Sequence, residues 1–300
     1  MWKQGTAVLA ALALFTAGAA FAGGAAKALR MTTTADVEAS GLFDELLPKF
    51  KADSGIVVTL SVKDDGEVLQ DCRDGRADII FSRDETGEEK LVLENLGTRR
   101  YPVMHSDYII VGPKNDPAGI KGIKSVTEAL AKIAEKRSTF VSCGDNSETH
   151  MREQALWKDS SVKLVERKTQ FIEKGKLKKV DYVVPENSET WYRTVGRGMV
   201  ETLSFAEEKQ AYTLSDRDTY VRSRYDQQPP LDLEVLGEGD ALLERSWGLV
   251  PVNPVEFPEV HNDLAMQFVK WISSPKGQEL ISNFTLAGIR LFTPDAEPVE

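Results

Sequence analysis

The sequence is poor in cysteine and histidine, with Cys72 and Cys143 as its two cysteines and three histidines among 300 residues. Two cysteines exclude a scaffold held together by many disulfides. Cys72 follows Val68 and Leu69 at helical spacing, which favours a buried thiol, although pairing with Cys143 stays open. Because the histidines are scattered, we expect neither a metal site nor a cofactor.

Positive charge is also in deficit, since 37 Lys and Arg residues face 47 Asp and Glu residues for a net charge of −10. Nucleic acid and anionic lipid both require clustered cations, so neither is expected as the main partner. After residue 22 no apolar run reaches the roughly 20 residues that a membrane-spanning helix needs.

The N-terminus has the pattern of an export signal. Lys3 precedes an Ala-rich apolar run over residues 7–20, and Ala20-Phe21-Ala22 provides small residues for cleavage. The run is short for a membrane anchor, and no cysteine follows it that could carry a lipid. We therefore predict a signal peptide over residues 1–22 and a periplasmic protein.

The rest of the chain alternates strand and helix patterns and is long enough for two domains. A breaker cluster over residues 112–117 directly follows a predicted strand at Tyr108–Val111, and a second series of strands and helices begins there. A later strand at Trp247–Val252 is predicted to return to the first unit. The prediction is an α/β protein with lobe one over 26–109 and 246–300, and lobe two over 110–245.

Three local patterns refine this prediction. Ser125 with Glu128 forms a capping box, and Ser274-Pro275 is a typical helix start. Helical periodicity is predicted to resume at Trp191 and run to Lys209. Seven Lys and Arg residues between 162 and 187 indicate an insertion on one face of the protein. The alternative is a solvated hairpin or loop that binds no partner.

Polar loops follow the ends of predicted strands, the position where open α/β sheets bind ligands. Hydroxyls and free amides at helix N-termini suit an anion, although Thr and Ser are also ordinary helix caps. The candidate ligand residues are Thr32, Thr33, Thr34, Lys63, Asp64, Asp65, Gly66, Ser82, Arg83, Ser142, Cys143, Gly144, Asp145, Asn146, Ser147, Glu148 and Thr149.

These loops carry a family resemblance. Met31-Thr32-Thr33-Thr34, the segment from Arg100 to Pro113, and Gly144-Asp145-Asn146-Ser147 with Thr149-His150 together resemble the periplasmic tungstate-binding proteins of ABC uptake systems. The resemblance covers roughly residues 27–294, apart from the Lys-rich segment. It implies a two-lobed type II periplasmic binding fold, an oxyanion held between the lobes, and an ABC permease as partner.

The departures from the family pattern fall in its ligand loops. Cys143 stands where the family has an arginine, Glu148 where it has a glycine, Ala35 where it has a serine, and Lys63-Asp64-Asp65-Gly66 where it has Gly-Thr-Gly. An added carboxylate and a lost guanidinium both weaken anion binding. We expect weaker binding of tungstate and molybdate, or a smaller, less charged or amine-bearing ligand, unless Arg83 and Lys63 compensate as cations. The alternative for both is a solvated surface cation.

Other functions remain open at this point. Cys143, His150 and Asp145 could form a nucleophile, base and orienting group, and His150 with Glu153 could bind a metal, but both groupings are weak. The same fold could also serve as a sensing or interaction module. We expect no enzyme, but a monomeric binding protein for a small polar solute.

Overall fold

A computed structural model describes residues 27–173, 176–225 and 228–299. The predicted signal peptide lies outside the described residues. Within the described part of the chain, no helix is long and apolar enough to cross a membrane.

Helices and strands alternate along most of the chain. The helices are α1 (Ala35–Ser40), α2 (Leu42–Ser54), α3 (Asp65–Arg73), α4 (Glu85–Leu93), α5 (Val126–Lys136), α6 (Glu148–Asp159), α7 (Met199–Glu208), α8 (Arg217–Tyr225), α9 (Asn262–Ile272) and α10 (Pro275–Asn283). The strands are β1 (Ala28–Thr34), β2 (Val57–Lys63), β3 (Ile79–Ser82), β4 (Tyr101–Gly112), β5 (Phe140–Ser142), β6 (Leu164–Glu173), β7 (Lys176–Pro185), β8 (Tyr192–Thr194), β9 (Tyr212–Asp216), β10 (Glu234–Gly237), β11 (Glu244–Pro251), β12 (Thr285–Leu286), β13 (Ile289–Arg290) and β14 (Thr293–Pro294).

The main sheet has the strand order β2-β1-β3-β11-β4-β9-β5-β8. Its two ends, β2-β1-β3 and β9-β5-β8, are parallel, whereas β11 and β4 are antiparallel to each other and to their outer neighbours. The predicted α/β architecture, with parallel strands flanked by helices, is confirmed.

Strand β4 connects the two parallel parts of the sheet. Its residues Tyr101–Asp107 pair with β11, and its residues from Tyr108 onward pair with β9. The two strands predicted as crossings thus lie in β4 and β11, which are hydrogen-bonded neighbours. The lobe bounds at 109/110 and 245/246 stay a prediction.

Buried apolar side chains form separate clusters. One extends over both parts of the sheet and contains Leu29, Trp247 and Val141, whereas another contains Trp157 and Tyr212 of the second part. Burial of this apolar surface is the main favourable contribution to folding. Both cysteines are buried and unpaired, which confirms the predicted buried thiol at Cys72.

The helix-start predictions agree with the structure. The Ser125 hydroxyl accepts a hydrogen bond from the Glu128 amide, and that of Ser274 accepts one from the Gly277 amide. Asp216 caps α8 by accepting a hydrogen bond from the Thr219 amide. Such caps satisfy amides that lack a partner inside the helix.

The predicted helix start at Trp191 is wrong. Tyr192–Thr194 is a strand that pairs in parallel with Phe140–Ser142, and the helix begins only at Met199. The Tyr192 ring stacks on Phe140 with their centroids 5.7 Å apart. Pairing with β5 therefore overrides the helical period of the local sequence.

The Lys-rich segment forms an antiparallel hairpin of β6 and β7, in which Leu164 pairs with Pro185. The hairpin is anchored to α6, because Gln154 accepts a 2.5 Å hydrogen bond from the Val183 amide. The exposed Lys163 pairs with Glu186, and Lys168 pairs with Asp181. This agrees with a solvated hairpin.

Candidate functional site

The predicted ligand loops lie at carboxyl ends of parallel strands. Thr34 ends β1 beside Lys63, its register partner at the end of β2, while Ser82 ends β3. Ser142 ends β5 on the other parallel part of the sheet. This placement is typical of ligand sites in open α/β sheets.

The threonine loop is tied to the protein interior. Thr32 donates a 2.9 Å hydrogen bond to the buried carboxylate of Asp71, and Thr33 donates one of 2.9 Å to the Phe81 carbonyl. Thr34 is also buried and occupies the N-cap position of α1. In this conformation, the hydroxyls of Thr32 and Thr33 therefore make internal hydrogen bonds.

Lys63 binds Asp71 and forms part of the same internal network. Its Nζ lies 2.7 Å from Asp71 Oδ2, while Arg76 Nε donates to Oδ1 at 2.8 Å. Burial raises the pKa of Asp71, but hydrogen bonds from Lys63, Arg76 and Thr32 outweigh burial and hold it below its ordinary value. The charge of Lys63 is thus balanced inside this part of the protein.

The remaining residues of that loop lie at the start of α3. Asp64 and Gly66 are exposed. The side chain of Asp65 lies outside the described part of the structure.

Ser82 is likewise engaged within its own part of the sheet. Its hydroxyl donates to the carboxylate of Glu88, which is fully buried and also accepts a 2.5 Å hydrogen bond from Arg100 Nε. Burial raises the pKa of Glu88. Ser82 therefore helps to hold a buried acid.

The loop after β5 turns sharply at Gly144. Its φ is +62°, and a Cβ at this position would lie 1.9 Å from Thr194 Cγ2, so only glycine fits. The turn buries Cys143, whose Sγ lies 3.5 Å from Met199 Sδ. Burial raises the pKa of the Cys143 thiol, with smaller contributions from Glu153 and Asp145.

The next residues of this loop form the start of α6. Ser147 accepts a hydrogen bond from the His150 amide, and Asp145 accepts one from the Ser147 amide at 3.0 Å. The Asn146 amide donates to His150 Nδ1 at 3.1 Å. Thr149 is buried in the first turn of the helix.

These contacts do not support the nucleophile considered for Cys143. His150 Nδ1 accepts the Asn146 amide proton, and burial lowers the pKa of His150. Because burial also disfavours the thiolate, the thiol and imidazole are not arranged as an activated pair.

The metal pair considered at His150 and Glu153 is not supported either. Glu153 Oε1 accepts hydrogen bonds from Trp157 Nε1 at 3.1 Å and from the Tyr192 hydroxyl at 2.5 Å. Among the residues that the structure describes, no group of three or more His, Cys, Asp or Glu side chains could hold a metal ion.

A cleft of about 520 Å³ lies beside the end of β3, the start of α6 and the start of β11. The cleft brings together four predicted site residues from the two parallel parts of the sheet. Arg83 comes from the loop after β3, and Asn146, Ser147 and Glu148 come from the loop after β5. Arg152, Glu244 and Arg245 complete much of its wall.

One oxygen of Glu148 joins two arginines in this cleft. Its Oε2 accepts from Arg83 Nε and, at 3.3 Å, from Arg245 Nη2. The Arg83 guanidinium lies over the Trp247 ring at 5.4 Å, and that of Arg245 over the Tyr108 ring at 4.7 Å. The carboxylate is therefore held between two cations with aromatic support.

Nearby acidic groups stabilise the charge of Arg245. Burial disfavours its charged form, but Tyr108, Glu148, Asp216 and Asp218 outweigh burial and raise its pKa. Burial, and then the charge of Arg245, lower the pKa of Arg83. Burial and Asp216 raise the pKa of Asp218 to about 7.

Sequence reasoning missed Arg245 and Arg152. The predicted strand began at Trp247, whereas β11 begins at Glu244 and carries Arg245 into the cleft wall. Arg245 and Trp247 lie two residues apart and therefore on the same face of β11, so a cation two residues before a buried tryptophan was the available signal. Arg152 had no distinguishing signal beyond its place on α6.

The chain is similar to proteins of a known family. The family model described as a PBP superfamily domain matches residues 20–276. The tungstate-binding protein TupA of Peptoclostridium acidaminophilum is 36% identical over 270 residues, which cover 89% of this chain and 85% of that protein.

Two solved structures are also similar. The tungstate-binding protein TupA from Desulfovibrio alaskensis G20 has a TM-score of 0.80 and 37% identity, covering 91% of this chain and 100% of that one. The tungstate ABC transporter structure from Geobacter sulfurreducens has a TM-score of 0.64 and 35% identity, covering 86% and 98%. These similarities confirm the predicted type of fold and the family resemblance.

Proposed function

This chain belongs to the PBP superfamily, and we propose that it is the extracytoplasmic solute-binding protein of an ABC uptake system. In this proposal it binds a small oxyanion in the cleft that Arg83 and Arg245 line. The observation that carries the proposal is the pair of guanidiniums that converge on one carboxylate oxygen there. Arginine donors suit oxyanions because their planar N–H groups match carboxylate and similar oxygen edges. The relatives named for tungstate binding support the same ligand class.

The ligand is an anion rather than an amine in this proposal. An amine was considered because Cys143 replaces an arginine and because Glu148, Asp64 and Asp65 add negative charge, but the charge of Glu148 is balanced by Arg83 and Arg245. Arg152 adds a third cation to the wall, with its guanidinium 6.0 Å from the Tyr108 ring centroid. The same wall also carries the carboxylates of Asp84, Glu85 and Glu244, so the proposal of an anion rests on the arginine donors and not on an excess of positive charge.

The proposed mechanism is closure of two lobes over the solute, followed by delivery to a membrane permease. Lobe one comprises residues 26–109 and 246–300, and lobe two comprises residues 110–245. The support is the change of pairing partners along β4 at Asp107 and Tyr108, where a hinge can absorb the motion. We place the mature protein in the periplasm as a monomer.

Several residues predicted from the sequence are not part of the proposed site. The wall of the cleft does not include Thr34, Ser142 or Cys143. The polar contacts given above for Thr32, Thr33, Lys63 and Ser82 are all internal. Because the hydroxyls of Thr32 and Thr33 donate inside the protein, they are not among the donors to the solute in this proposal. Tungstate and molybdate should accordingly bind more weakly than the family pattern suggests.

Isothermal titration with tungstate, molybdate and sulfate at low salt tests the proposal. We expect saturable binding of at least one anion, with dissociation constants well above nanomolar, and a loss of at least about ten-fold in Arg83→Gln. Lys136→Gln, an exposed change at the end of α5, is the matched control and should leave binding unchanged. Binding of a neutral or cationic solute instead, with no anion bound, would contradict the proposal.

A further inference from the structure

Glu148 occupies the place between the arginines that an anionic solute would take. Its Oε2 accepts from both guanidiniums, so the carboxylate is positioned as a ligand oxygen would be. The side chains of Arg83 and Arg245 are 12% and 6% exposed, against 32% for Glu148, so the arginines are fixed in the wall and the glutamate is the more accessible partner.

The contact also joins elements of different packing clusters. Glu148 begins α6, whose Leu156 and Trp157 pack in one buried cluster. Arg83 comes two residues after Phe81 of β3, and Arg245 comes two residues before Trp247 of β11. The rings of Phe81 and Trp247 both pack in the other cluster. The Arg83–Glu148 pair therefore joins α6 to the end of β3 across the proposed lobe boundary, whereas Arg245 lies on β11 at that boundary.

We propose that Glu148 is a tethered internal anion that holds the cleft closed without solute and must be displaced before an oxyanion can bind. This inference rests on the proposed function and names the residue that sets its affinity. A protein in which the competent state is a small fraction shows an apparent affinity reduced by that fraction. An anion can replace the Glu148 carboxylate and balance the charge of the two guanidiniums, whereas a neutral solute would leave that charge unbalanced. Displacement therefore also selects for a negatively charged solute.

The test compares Glu148→Gln with Glu244→Gln. Gln at position 148 keeps the length and an acceptor oxygen but removes the charge that holds the arginines. Glu244 lines the same cleft and is exposed, so its replacement removes one negative charge from the wall while leaving the arginine bridge intact. Removal of wall charge in general predicts a gain in both variants, whereas displacement predicts a gain in Glu148→Gln alone.

Titration with tungstate, molybdate and sulfate should show oxyanion affinity increased by at least about ten-fold in Glu148→Gln and changed by less than about three-fold in Glu244→Gln. Equal gains in both variants, or weaker binding in Glu148→Gln, would overturn the proposal. Circular dichroism confirms that each variant is folded.

Hydrogen–deuterium exchange of the solute-free protein gives a readout that needs no ligand. We expect faster exchange of residues 145–152 in Glu148→Gln than in the unchanged protein or Glu244→Gln, because the bridge across the cleft is lost. Unchanged exchange would overturn the clamp. If no protein binds any oxyanion but Glu148→Gln still exchanges faster, the proposed ligand class fails while the internal clamp stands.

Discussion

The Tyr192 hydroxyl donates a 2.5 Å hydrogen bond to Oε1 of Glu153, a carboxyl group buried beneath the loop that begins at Ser142. Trp157 Nε1 donates to the same oxygen at 3.1 Å. Burial raises the pKa of Glu153 to about 7, although these hydrogen bonds oppose the shift. The folded protein therefore holds a proton on Glu153 at a pH where the unfolded chain has released it.

Stability should consequently fall as the pH rises from about 4.5 to about 7, because the folded state binds more protons in this window. Glu153→Gln keeps an oxygen for both donors and has no proton to lose. We expect its free energy of unfolding, relative to the unchanged protein, to rise by on the order of 2–3 kcal/mol between pH 5 and pH 8.

Urea unfolding at the two pH values measures this difference. Glu128→Gln, an exposed change on α5, is the control and should follow the unchanged protein. A Glu153→Gln profile parallel to both would show that Glu153 is ionised in the folded state.

Asp71→Asn should destabilise the protein by about 1–3 kcal/mol at pH 7, because Lys63 and Arg76 lose the buried charge that they share. The lowered pKa of Asp71 gives stability that is present above the unfolded-state value and lost as the pH falls through the folded-state value. The difference in stability between Asp71→Asn and the unchanged protein should thus shrink in acid, as measured by thermal unfolding at pH 7 and pH 3.

Asp74→Asn is the control for this prediction. It removes an exposed partner of Arg76 and should cost at most about 1 kcal/mol. A loss from Asp74→Asn as large as that from Asp71→Asn would refute the special role of the buried acid.

Cys72 and Cys143 should both be unreactive toward a thiol reagent in the folded protein at pH 8. Burial raises the pKa of Cys72 to about 12 and also raises that of Cys143, so little thiolate is present at either position. Titration with Ellman's reagent should detect no fast-reacting thiol in buffer and two after unfolding in guanidinium. Detection of none after unfolding would indicate a disulfide, and one fast thiol in buffer would reopen a reactive Cys143.

Ser82→Ala should lower stability by about 1 kcal/mol without changing oxyanion affinity. The hydroxyl donates to buried Glu88, and its loss leaves part of that carboxylate unsatisfied. Thermal unfolding and isothermal titration measure the two effects separately. If Ser82→Ala loses more binding free energy than unfolding free energy, Ser82 belongs to the ligand site, as the sequence predicted.

Local signals explain which parts of the fold were predictable. Ser125 and Ser274 cap their helices through amides three residues away, so a short segment contains the complete interaction. Tyr192 was placed in a helix because its strand partner Phe140 lies far back in the sequence. A short strand is defined by its partner more than by its own period.

The same limit applies more strongly to the site. Glu148 is 65 residues from Arg83 and 97 from Arg245, and no local pattern relates them. The substitution at position 148 was visible in the sequence as an added negative charge. Its balance by two guanidiniums required the packing of α6 against the cleft.

Strand β11 lies between β3 and β4, although residues 244–251 are made long after both of those strands. A nascent chain that ends before Glu244 can form neither the centre of the sheet nor the wall that carries Arg245. The facing edges of β3 and β4 then remain open, and open strand edges are sites of mispairing. Such high contact order slows folding. A chain truncated before this strand should accordingly aggregate rather than fold as a smaller domain.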